Sequence, residues 1–372
     1  MSSLVESRVL RDEGLCEYSR ERTNPSMQVT NISLKSYDIL LQLYAADYGV
    51  AKVPLEGRLR KSLENRTDNI LKVLDSHVQF RNSAPFETKD QESIMEQYLV
   101  EVGAISLFFP DLRANDIRIC MAAWIGLMYS IDDLVENMQP DEANIAVRHS
   151  IMALQEEGCV VSSPGNIASV VKYIAAFKQH CAKYLSSQAS RDFFDSVCTA
   201  LEGMLEEVQF RHGDLPQDLA TYMRIRARTV GVSPLFSLVR STLKVQSPWS
   251  SELMDMERDI CASTGLQNDL LGLEKDIRTK ERMNAVLLGT AQTLKEDQSV
   301  DRDALQMAAD HISAQHNLLM KRAEQTRDTL QEKALTRPEL ASEAKLADVL
   351  LLFAERHLTF SASAKRYELG SA

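Results

Sequence analysis

Apolar residues recur every three or four positions along most of this chain, and this spacing restricts its fold more than any other feature. It is the pattern of amphipathic or buried helices, whereas the alternation typical of strands is hard to find. Residues that interrupt helices are scarce as well, with 14 glycines and 10 prolines among 372 positions. The sequence therefore predicts an all-α protein built as a single-domain helical bundle.

The predicted organisation is a polar N-terminal arm, partly mobile, over residues 1–36 and one helical domain over residues 37–372. No change of composition, repeat or low-complexity linker divides the second part. Helices are expected at 37–48, 54–80, 88–108, 114–138, 141–157, 164–186, 188–212, 216–243, 250–278, 280–296, 301–334 and 338–364. The segments 114–131 and 229–243 are apolar almost all round, so we expect them at the centre of the bundle.

Composition excludes several classes of function. Acidic residues outnumber basic ones, 53 against 42, which gives a formal net charge of −11 and disfavours nucleic-acid binding. No stretch approaches the roughly 20 apolar residues that span a bilayer, and residues 1–22 are too charged for the core of a signal peptide. Six cysteines without a CxxC pair indicate reduced thiols. We expect a cytoplasmic protein that is not inserted into a membrane.

The most informative segment is residues 121–138, where an apolar helix runs into Asp132, Asp133 and Glu136. Asp132 and Glu136 are four positions apart and share a helix face, with Asp133 on its flank. Carboxylates crowded in this way repel one another, and a hard divalent cation such as Mg²⁺ offsets the repulsion. The alternative is a solvated acidic helix end before the turn at Gln139 and Pro140.

A second polar set follows on one predicted helix, over residues 266–278. Asn268, Gly272 and Asp276 are spaced i, i+4 and i+8, so an amide oxygen and a carboxylate point in similar directions. Both are hard oxygen ligands suited to Mg²⁺. Gly272 costs about 1 kcal/mol relative to alanine inside a helix, which indicates close approach of a ligand, water or a packed neighbour. The alternative is an exposed helix face.

These two motifs resemble those of the class I terpene synthases, all-α enzymes that ionise prenyl diphosphates and cyclise the resulting cation. Asp132-Asp133-Leu134-Val135-Glu136 is similar to their DDxx(D/E) motif, and residues 268–276, NDLLGLEKD, are similar to their second metal-binding motif. The resemblance implies a class I terpenoid synthase bundle around a central apolar active-site cavity. Three departures accompany it: Glu136 replaces the commoner aspartate, Gly272 lacks a hydroxyl, and Asp276 replaces glutamate.

Further segments match the same family in the same order. Tyr222-xxx-Arg226-xx-Thr229-x-Gly231 resembles the segment with the family's diphosphate-sensing arginine and the helix break beside it. Other similar positions are the terminal Arg366-Tyr367 pair, Phe360 six residues before Arg366, and the turn Asn284-Ala285-Val286. The pattern is closest to fungal-type sesquiterpene synthases and resembles α-humulene synthases among them.

The resemblance implies roles for particular residues. Three Mg²⁺ ions are expected, with metal-ligand positions at Asp132, Asp133, Glu136, Asn268, Gly272 and Asp276, where a water replaces the missing ligand of Gly272. Diphosphate is expected to bind Arg226, Lys275, Arg366 and Tyr367, because guanidinium groups form bidentate bonds to phosphate oxygens. The residues expected to carry catalysis are Asp132, Asp133, Arg226, Asn268 and Asp276.

After ionisation, such an enzyme must exclude water and enclose the cation in an apolar pocket. Aromatic faces stabilise positive charge through their quadrupoles. The candidate pocket residues lie on or near the motif helices: Trp124, Met128, Tyr129, Thr229, Val230, Gly231, Leu266, Met283 and Phe360. The alternative for each of them is ordinary core packing.

The function that the resemblance implies is a Mg²⁺-dependent sesquiterpene cyclase, a carbon–oxygen lyase acting on farnesyl diphosphate, with a humulene-type product and a homodimeric assembly. Three alternatives stay open. One is a diterpene cyclase acting on geranylgeranyl diphosphate. Another is a chain-elongating prenyltransferase, which normally carries a second DDxxD motif where this chain has NDLLGLEKD. The non-enzymatic alternative is a helical scaffold or ligand-binding protein with solvated acidic faces.

Overall fold

The structure, a computed structural model, describes residues 27–46, 68–82, 91–136, 138–156, 165–243, 248–281, 283–290 and 301–363. These residues form two strands and twelve α-helices, which confirms the predicted all-α class. The strands are β1 Met27–Leu34 and β2 Ile39–Ala46. The helices are α1 Asp68–Arg81, α2 Gln91–Phe108, α3 Asn115–Glu136, α4 Pro140–Gln155, α5 Gly165–Cys181, α6 Ser187–His212, α7 Leu219–Thr229, α8 Ser233–Arg240, α9 Ser251–Thr279, α10 Ala285–Thr290, α11 Arg302–Thr336 and α12 Ala341–Ser363.

The helix predicted over 37–48 is wrong, because β1 and β2 form an antiparallel hairpin. The buried residues of β2 alternate along the strand: Ile39, Leu41, Leu43 and Ala45. The alternation is hidden in the sequence because Leu40, which is 45% exposed, and Tyr44 are also apolar. The turn over residues 35–38 falls at the predicted limit between arm and domain, and that limit stays a prediction.

The other predicted helices differ from the observed ones mainly because one of them is broken into two. The helix expected over 216–243 is interrupted, since α7 ends at Thr229 and α8 begins at Ser233. For the helices expected over 54–80 and 280–296, the described parts are α1 and the short α10. The remaining helices agree with the prediction to within five residues at each end.

Helix entries follow the capping chemistry of the sequence. The side chains of Ser186, Asp218 and Ser250 precede α6, α7 and α9 and accept hydrogen bonds from backbone N–H groups three residues later. These bonds satisfy donors that a helix leaves open at its first turn. Pro140 occupies the first turn of α4, where the missing N–H costs nothing.

The described residues pack in two apolar clusters. The larger surrounds α3, whose residues 119–127 are all buried, and includes apolar residues of α8 and α12. The expectation that 114–131 and 229–243 lie near the centre is therefore confirmed for α3 and α8. The smaller cluster joins the hairpin to α7, α10, α11 and the second half of α9. The motif in residues 268–276 thus lies where α9 enters the smaller cluster.

Two expectations from the sequence, on the state of the cysteines and on membrane-spanning segments, can be compared with the described residues. The cysteines among them are free and buried: Cys120, Cys181, Cys198 and Cys261. In the same part of the chain, every helix is too short or too polar to cross a bilayer.

The break between α7 and α8 places a backbone carbonyl against α3. Gly231 adopts the left-handed φ of 71°, and its carbonyl oxygen accepts a hydrogen bond of 2.7 Å from Trp124 Nε1. A Cβ atom at Gly231 would lie 1.9 Å from the Sδ atom of Met128. Only glycine fits this position, because a side chain would meet both backbone strain and a packed neighbour. Pro234 then occupies the first turn of α8.

We expect Gly231→Ala to lower the free energy of unfolding through two costs. The left-handed backbone costs about 1–2 kcal/mol for alanine, and the contact with Met128 adds about 1–3 kcal/mol of overpacking. Gly213→Ala is the matched control, because Gly213 has a φ of 81° with nothing within 4 Å of a Cβ. Urea denaturation measures both variants. Equal losses would contradict the packing of Met128 against Gly231.

Candidate active site

The side chain of Asp269 joins α7, α9 and α10 at one buried point. Asp269 is 1% exposed, and its carboxylate accepts three hydrogen bonds. Tyr222 Oη donates at 2.7 Å, Arg226 Nε at 3.1 Å and the Ala285 backbone N–H at 3.2 Å. A buried carboxylate is stable only when charges and hydrogen bonds compensate its lost hydration. Asp269 therefore fixes the position of Arg226.

The charges around Arg226 connect the two acidic motifs. Burial lowers the pKa of Arg226, but the charges of Asp269, Tyr222, Glu207 and Asp132 outweigh burial and raise this pKa well above its ordinary value. Asp132, at the end of α3, is therefore close enough to act electrostatically on Arg226, which lies on α7 and is bound by Asp269 of α9. Burial raises the pKa of Asp269, and Arg226, Tyr222 and Ala285 oppose that rise.

A glycine on α9 allows Arg226 to lie against that helix. A Cβ atom at Gly265 would lie 2.8 Å from Cγ of Arg226, closer than side-chain atoms approach in packed proteins. Gly265 is one turn before Asp269 on α9, so the arginine side chain crosses the helix surface and reaches the carboxylate. The absent side chain thus contributes to the position of the guanidinium.

Asn284 positions the last residue of the second motif. Its Nδ2 donates to Asp276 Oδ2 at 2.9 Å and to the Asp269 backbone oxygen at 2.7 Å. Its Oδ1 accepts from the Val286 N–H at 2.9 Å and so begins α10. Burial raises the pKa of Asp276, the bond from Asn284 opposes this rise, and the charge of Asp269 adds to it. Asn268 is partly buried on α9 and Gly272 is buried there.

The first acidic motif occupies the last turn of α3. Asp132 is partly buried, whereas the side chains of Asp133 and Glu136 lie outside the described side chains. The last turn of α3 contains no basic residue. Because the C-terminal end of a helix carries partial negative charge, carboxylates there are unfavourable without a nearby cation. This end of α3 therefore favours positive charge.

The donors at the two motifs fit a hard divalent cation. Asp132, Asn268 and Asp276 offer carboxylate and amide oxygens, the ligand types that Mg²⁺ prefers. Among the described side chains, no group of three or more His, Cys, Asp or Glu residues is positioned to hold a metal ion. Asp133 and Glu136 are not among these residues, because their side chains are not described. Asn268 is not among them either, because its metal ligand would be an amide oxygen.

The predicted diphosphate-binding residues are only partly described. Arg226 is placed as given above, and Lys275 is partly buried on α9, where its charge lowers the pKa of the neighbouring Asp276. Arg366 and Tyr367 lie outside the described residues. The roles of all four residues stay predictions.

The predicted pocket residues divide between the two clusters. Trp124, Val230 and Phe360 belong to the larger cluster, with Met128 and Tyr129 packed against it. Thr229 is buried at the end of α7, next to this group. Leu266 and Met283 pack in the smaller cluster instead. The structure thus brings Trp124, Met128 and Gly231 together, whereas the central cavity stays a prediction.

Sequence reasoning missed four residues of this site, namely Tyr222, Asp269, Asn284 and Glu207. Tyr222, Asp269 and Asn284 stand inside segments that resemble family motifs, and this position was the available signal. Their hydrogen bonds were not predictable, because Tyr222 and Asp269 are 47 positions apart and Asn284 lies 15 positions from Asp269 and 8 from Asp276. Glu207 is buried on α6 and acts on Arg226 through its charge. No local pattern marks it.

We expect Tyr222→Phe to destabilise the fold, because Asp269 loses a hydrogen bond where water cannot replace it. Hydrogen bonds to buried charged groups contribute about 1.5–3 kcal/mol, against about 0.5–1.5 kcal/mol for neutral ones. Tyr184→Phe is the control, since it removes a neutral bond of 3.0 Å to Ser76 Oγ. Urea denaturation should show the larger loss at Tyr222, and equal losses would contradict the ionised state of Asp269.

Comparisons with known proteins identify the family and the fold. The family model described as terpene synthase family 2, C-terminal metal binding, matches residues 123–322. (−)-β-Caryophyllene synthase from Saccharothrix espanaensis, described as cyclising (2E,6E)-farnesyl diphosphate, is 26% identical over 189 residues, which are 49% of this chain and 52% of that protein. The chain thus spans about half the length of this curated relative.

Solved structures of terpene synthases share the fold. Linalool/nerolidol synthase from Streptomyces clavuligerus, in complex with 2-fluorogeranyl diphosphate, has a TM-score of 0.59 and 18% identity, covering 78% of this chain and 94% of that chain. Hedycaryol synthase in complex with HEPES has a TM-score of 0.59 and 18% identity, with coverages of 79% and 94%. α-Eudesmol synthase has a TM-score of 0.59 and 15% identity, with coverages of 80% and 95%.

At these identities the structures establish the helical class I fold alone. The family model covers more than half of the chain, and its matched segment contains both acidic motifs, Arg226 and the break at Gly231. The chain therefore belongs to terpene synthase family 2, whose matched domain is described as metal binding.

Proposed function

We propose that the chain is a Mg²⁺-dependent sesquiterpene cyclase that ionises farnesyl diphosphate, releases diphosphate and cyclises the carbocation to a hydrocarbon. The observation that carries this proposal is the position of Arg226. Asp269 of the second motif holds this guanidinium, and Asp132 of the first motif acts on its charge. A fixed positive group between two acidic motifs is suited to a diphosphate that binds metal ions on both sides.

The barrier to the first step is separation of an allylic cation from the diphosphate anion, so catalysis requires stabilisation of the leaving group. Arg226 uses Nε for Asp269, which leaves its terminal N–H groups for phosphate oxygens. Lys275, Arg366 and Tyr367 are proposed to add donors. Because Asp269 and Gly265 fix the arginine before substrate binds, little reorganisation is needed during ionisation.

The proposed metal ligands belong to two helices, α3 and α9. Asp132, Asp133 and Glu136 would hold ions from α3, and Asn268, Asp276 and a water beside Gly272 would hold one from α9. Three Mg²⁺ ions are proposed, and when bound they supply positive charge that polarises the diphosphate oxygens. The bond from Asn284 keeps one carboxylate oxygen of Asp276 in place for this task.

The cation must then be kept from water by apolar and aromatic side chains. Trp124 and Met128 are proposed to line the pocket at the helix break. Trp124 is fully buried and donates a hydrogen bond to the Gly231 carbonyl. The other proposed lining residues are Tyr129, Thr229, Val230, Leu266, Met283 and Phe360. Aromatic faces among them would stabilise the migrating positive charge.

The C15 substrate is supported by the caryophyllene synthase, which is described as cyclising farnesyl diphosphate. A humulene-type product and a fungal-type origin are the narrower parts of the proposal, and they rest on the motif resemblance alone. The proposal also includes a cytoplasmic location and a homodimer, which cell fractionation and light scattering of the purified protein would test.

We expect purified protein with Mg²⁺ and farnesyl diphosphate to release a cyclic C15 hydrocarbon, detected by gas chromatography–mass spectrometry. Asp132→Ala and Asn268→Ala should each lower this product at least about 100-fold, since each removes a metal ligand. Asp116→Ala is the matched control, because Asp116 is an exposed carboxylate at the other end of α3. Full turnover in both site variants would contradict the assignment.

The same assay separates the alternatives. Parallel incubations contain geranyl, farnesyl or geranylgeranyl diphosphate, each with and without isopentenyl diphosphate. A cyclic C20 product would identify a diterpene cyclase, and longer prenyl diphosphates formed only with isopentenyl diphosphate would identify a prenyltransferase. Absence of thermal stabilisation by Mg²⁺ and diphosphate, together with absence of product, would favour a scaffold or ligand-binding protein.

A further inference from the structure

We propose that the β1–β2 hairpin holds the second metal-binding motif in position through a buried chain of hydrogen bonds. The hairpin, residues 27–46, lies outside the segment that the family model matches. The inference rests on the proposed function of Asn268 and Asp276 as metal ligands. It assigns to the hairpin a role in the active site that its distance in sequence does not suggest.

Two side-chain amides of α11 bind the outer edge of β2 as a further strand would. Gln306 accepts from the Leu40 N–H and donates to the Leu40 carbonyl, both at 2.9 Å. Asn317 accepts from the Tyr44 N–H at 2.6 Å and donates to the Gln42 carbonyl at 2.8 Å. Both amides attach the hairpin, but only Asn317 continues into the protein interior.

We use the name amide–imidazole chain for Asn317, His316, Gln267 and His357. Asn317 Oδ1 lies 3.0 Å from His316 Nδ1, and His316 Nε2 lies 3.0 Å from Gln267 Nε2. Gln267 Oε1 lies 2.9 Å from His357 Nδ1. Both His316 and Gln267 are fully buried. The chain thus crosses from α11 through α9 to α12.

Backbone groups at each end fix the direction of these hydrogen bonds. The Tyr44 N–H can only donate and the Gln42 carbonyl can only accept, which sets the orientation of the Asn317 amide. The Ala354 carbonyl accepts from Gln267 Nε2 at 3.3 Å, which sets the other amide. His316 must therefore donate through Nδ1 and accept at Nε2.

The electrostatics agree with this direction. Burial lowers the pKa of His316 to about 4, and burial together with the charge of Arg226 lowers the pKa of His357 to about 3. Both rings are neutral near pH 7, with one donor and one acceptor each, as the amide–imidazole chain requires.

A break at the hairpin end changes the bonds at the motif end. Without Asn317, the Nδ1 proton of His316 is buried with no acceptor in the amide–imidazole chain, which costs about 1–3 kcal/mol. Transfer of this proton to Nε2 would place two donors face to face, because Gln267 also donates there. Rotation of the Gln267 amide would relieve this conflict only by losing its bonds to Ala354 and His357.

The amide–imidazole chain and a second contact bracket the motif. Gln267 immediately precedes Asn268, the first residue of the motif. In the hairpin turn, the Ser36 N–H donates at 2.5 Å to Oε1 of Glu274, which is buried two residues before Asp276. The hairpin is thus connected to α9 at both ends of the motif, so displacement of the hairpin moves the proposed ligands relative to α3.

The test measures binding of inorganic diphosphate, with Mg²⁺ titrated, by calorimetry well below the melting temperature of every variant. Asn317→Ala cuts the amide–imidazole chain at the hairpin, and His316→Phe cuts it inside the protein while leaving the contacts of Asn317 to the hairpin. Gln306→Ala is the matched control, since it removes two bonds to the same strand without touching the chain.

We expect Asn317→Ala and His316→Phe to raise the Mg²⁺ concentration at half-saturation about threefold to tenfold, as substitutions along coupled networks do. Amide hydrogen exchange over residues 267–276 should accelerate in the same two variants. Gln306→Ala should stay within about twofold of the wild type. If one cutting variant does not fold, the other decides the outcome.

Equal effects of Asn317→Ala and Gln306→Ala, or an unchanged Mg²⁺ requirement in His316→Phe, would overturn the inference. Failure of the wild-type protein to bind diphosphate with Mg²⁺ is a different result. It would overturn the proposed function on which the inference rests.

Discussion

The ion pair between the partly exposed Arg226 and the buried Asp269 is the interaction on which the rest of this structure depends. Removing the Asp269 carboxylate from water is costly, and it is tolerated because Arg226, Tyr222 and the Ala285 N–H all donate to it. These bonds draw α7, α9 and α10 to one point. Loss of Arg226 would leave the buried Asp269 carboxylate without its opposite charge, with a cost of about 3–5 kcal/mol.

The same pair determines what the site can bind. The charges of Asp269, Glu207 and Asp132 all act on the guanidinium of Arg226, and Glu207 also pairs with Arg211 at 3.1 Å. The end of α3 adds the partial negative charge of its helix terminus. The carboxylates around this single guanidinium attract cations and repel an anion that carries no metal ions. Diphosphate accompanied by metal ions satisfies both conditions, which is why we connect the two motifs to one ligand.

Much of the fold could be predicted from the sequence, because the periodicity of α3 and α8 is a local feature. The break at Gly231 was indicated by the family resemblance alone, since the periodicity continues across it and predicts one helix over 216–243. The hairpin escaped prediction because Leu40 and Tyr44 place apolar residues on both faces of β2. Candidate ligands could be proposed from spacing alone where they share one helix, as Asn268 and Asp276 do. Hydrogen bonds that join distant elements could not be predicted in this way: Gln267 contacts His316 and His357 across 49 and 90 residues. In the sequence these histidines are isolated residues without a ligand pattern.

The most direct test of the central claim is a crystal structure with Mn²⁺ and inorganic diphosphate, in which anomalous scattering locates the ions. The account predicts ions bound by Asp132 from α3 and by Asn268 and Asp276 from α9, with a diphosphate oxygen bonded to Arg226. Ions at one motif only, or diphosphate bound away from Arg226, would contradict it.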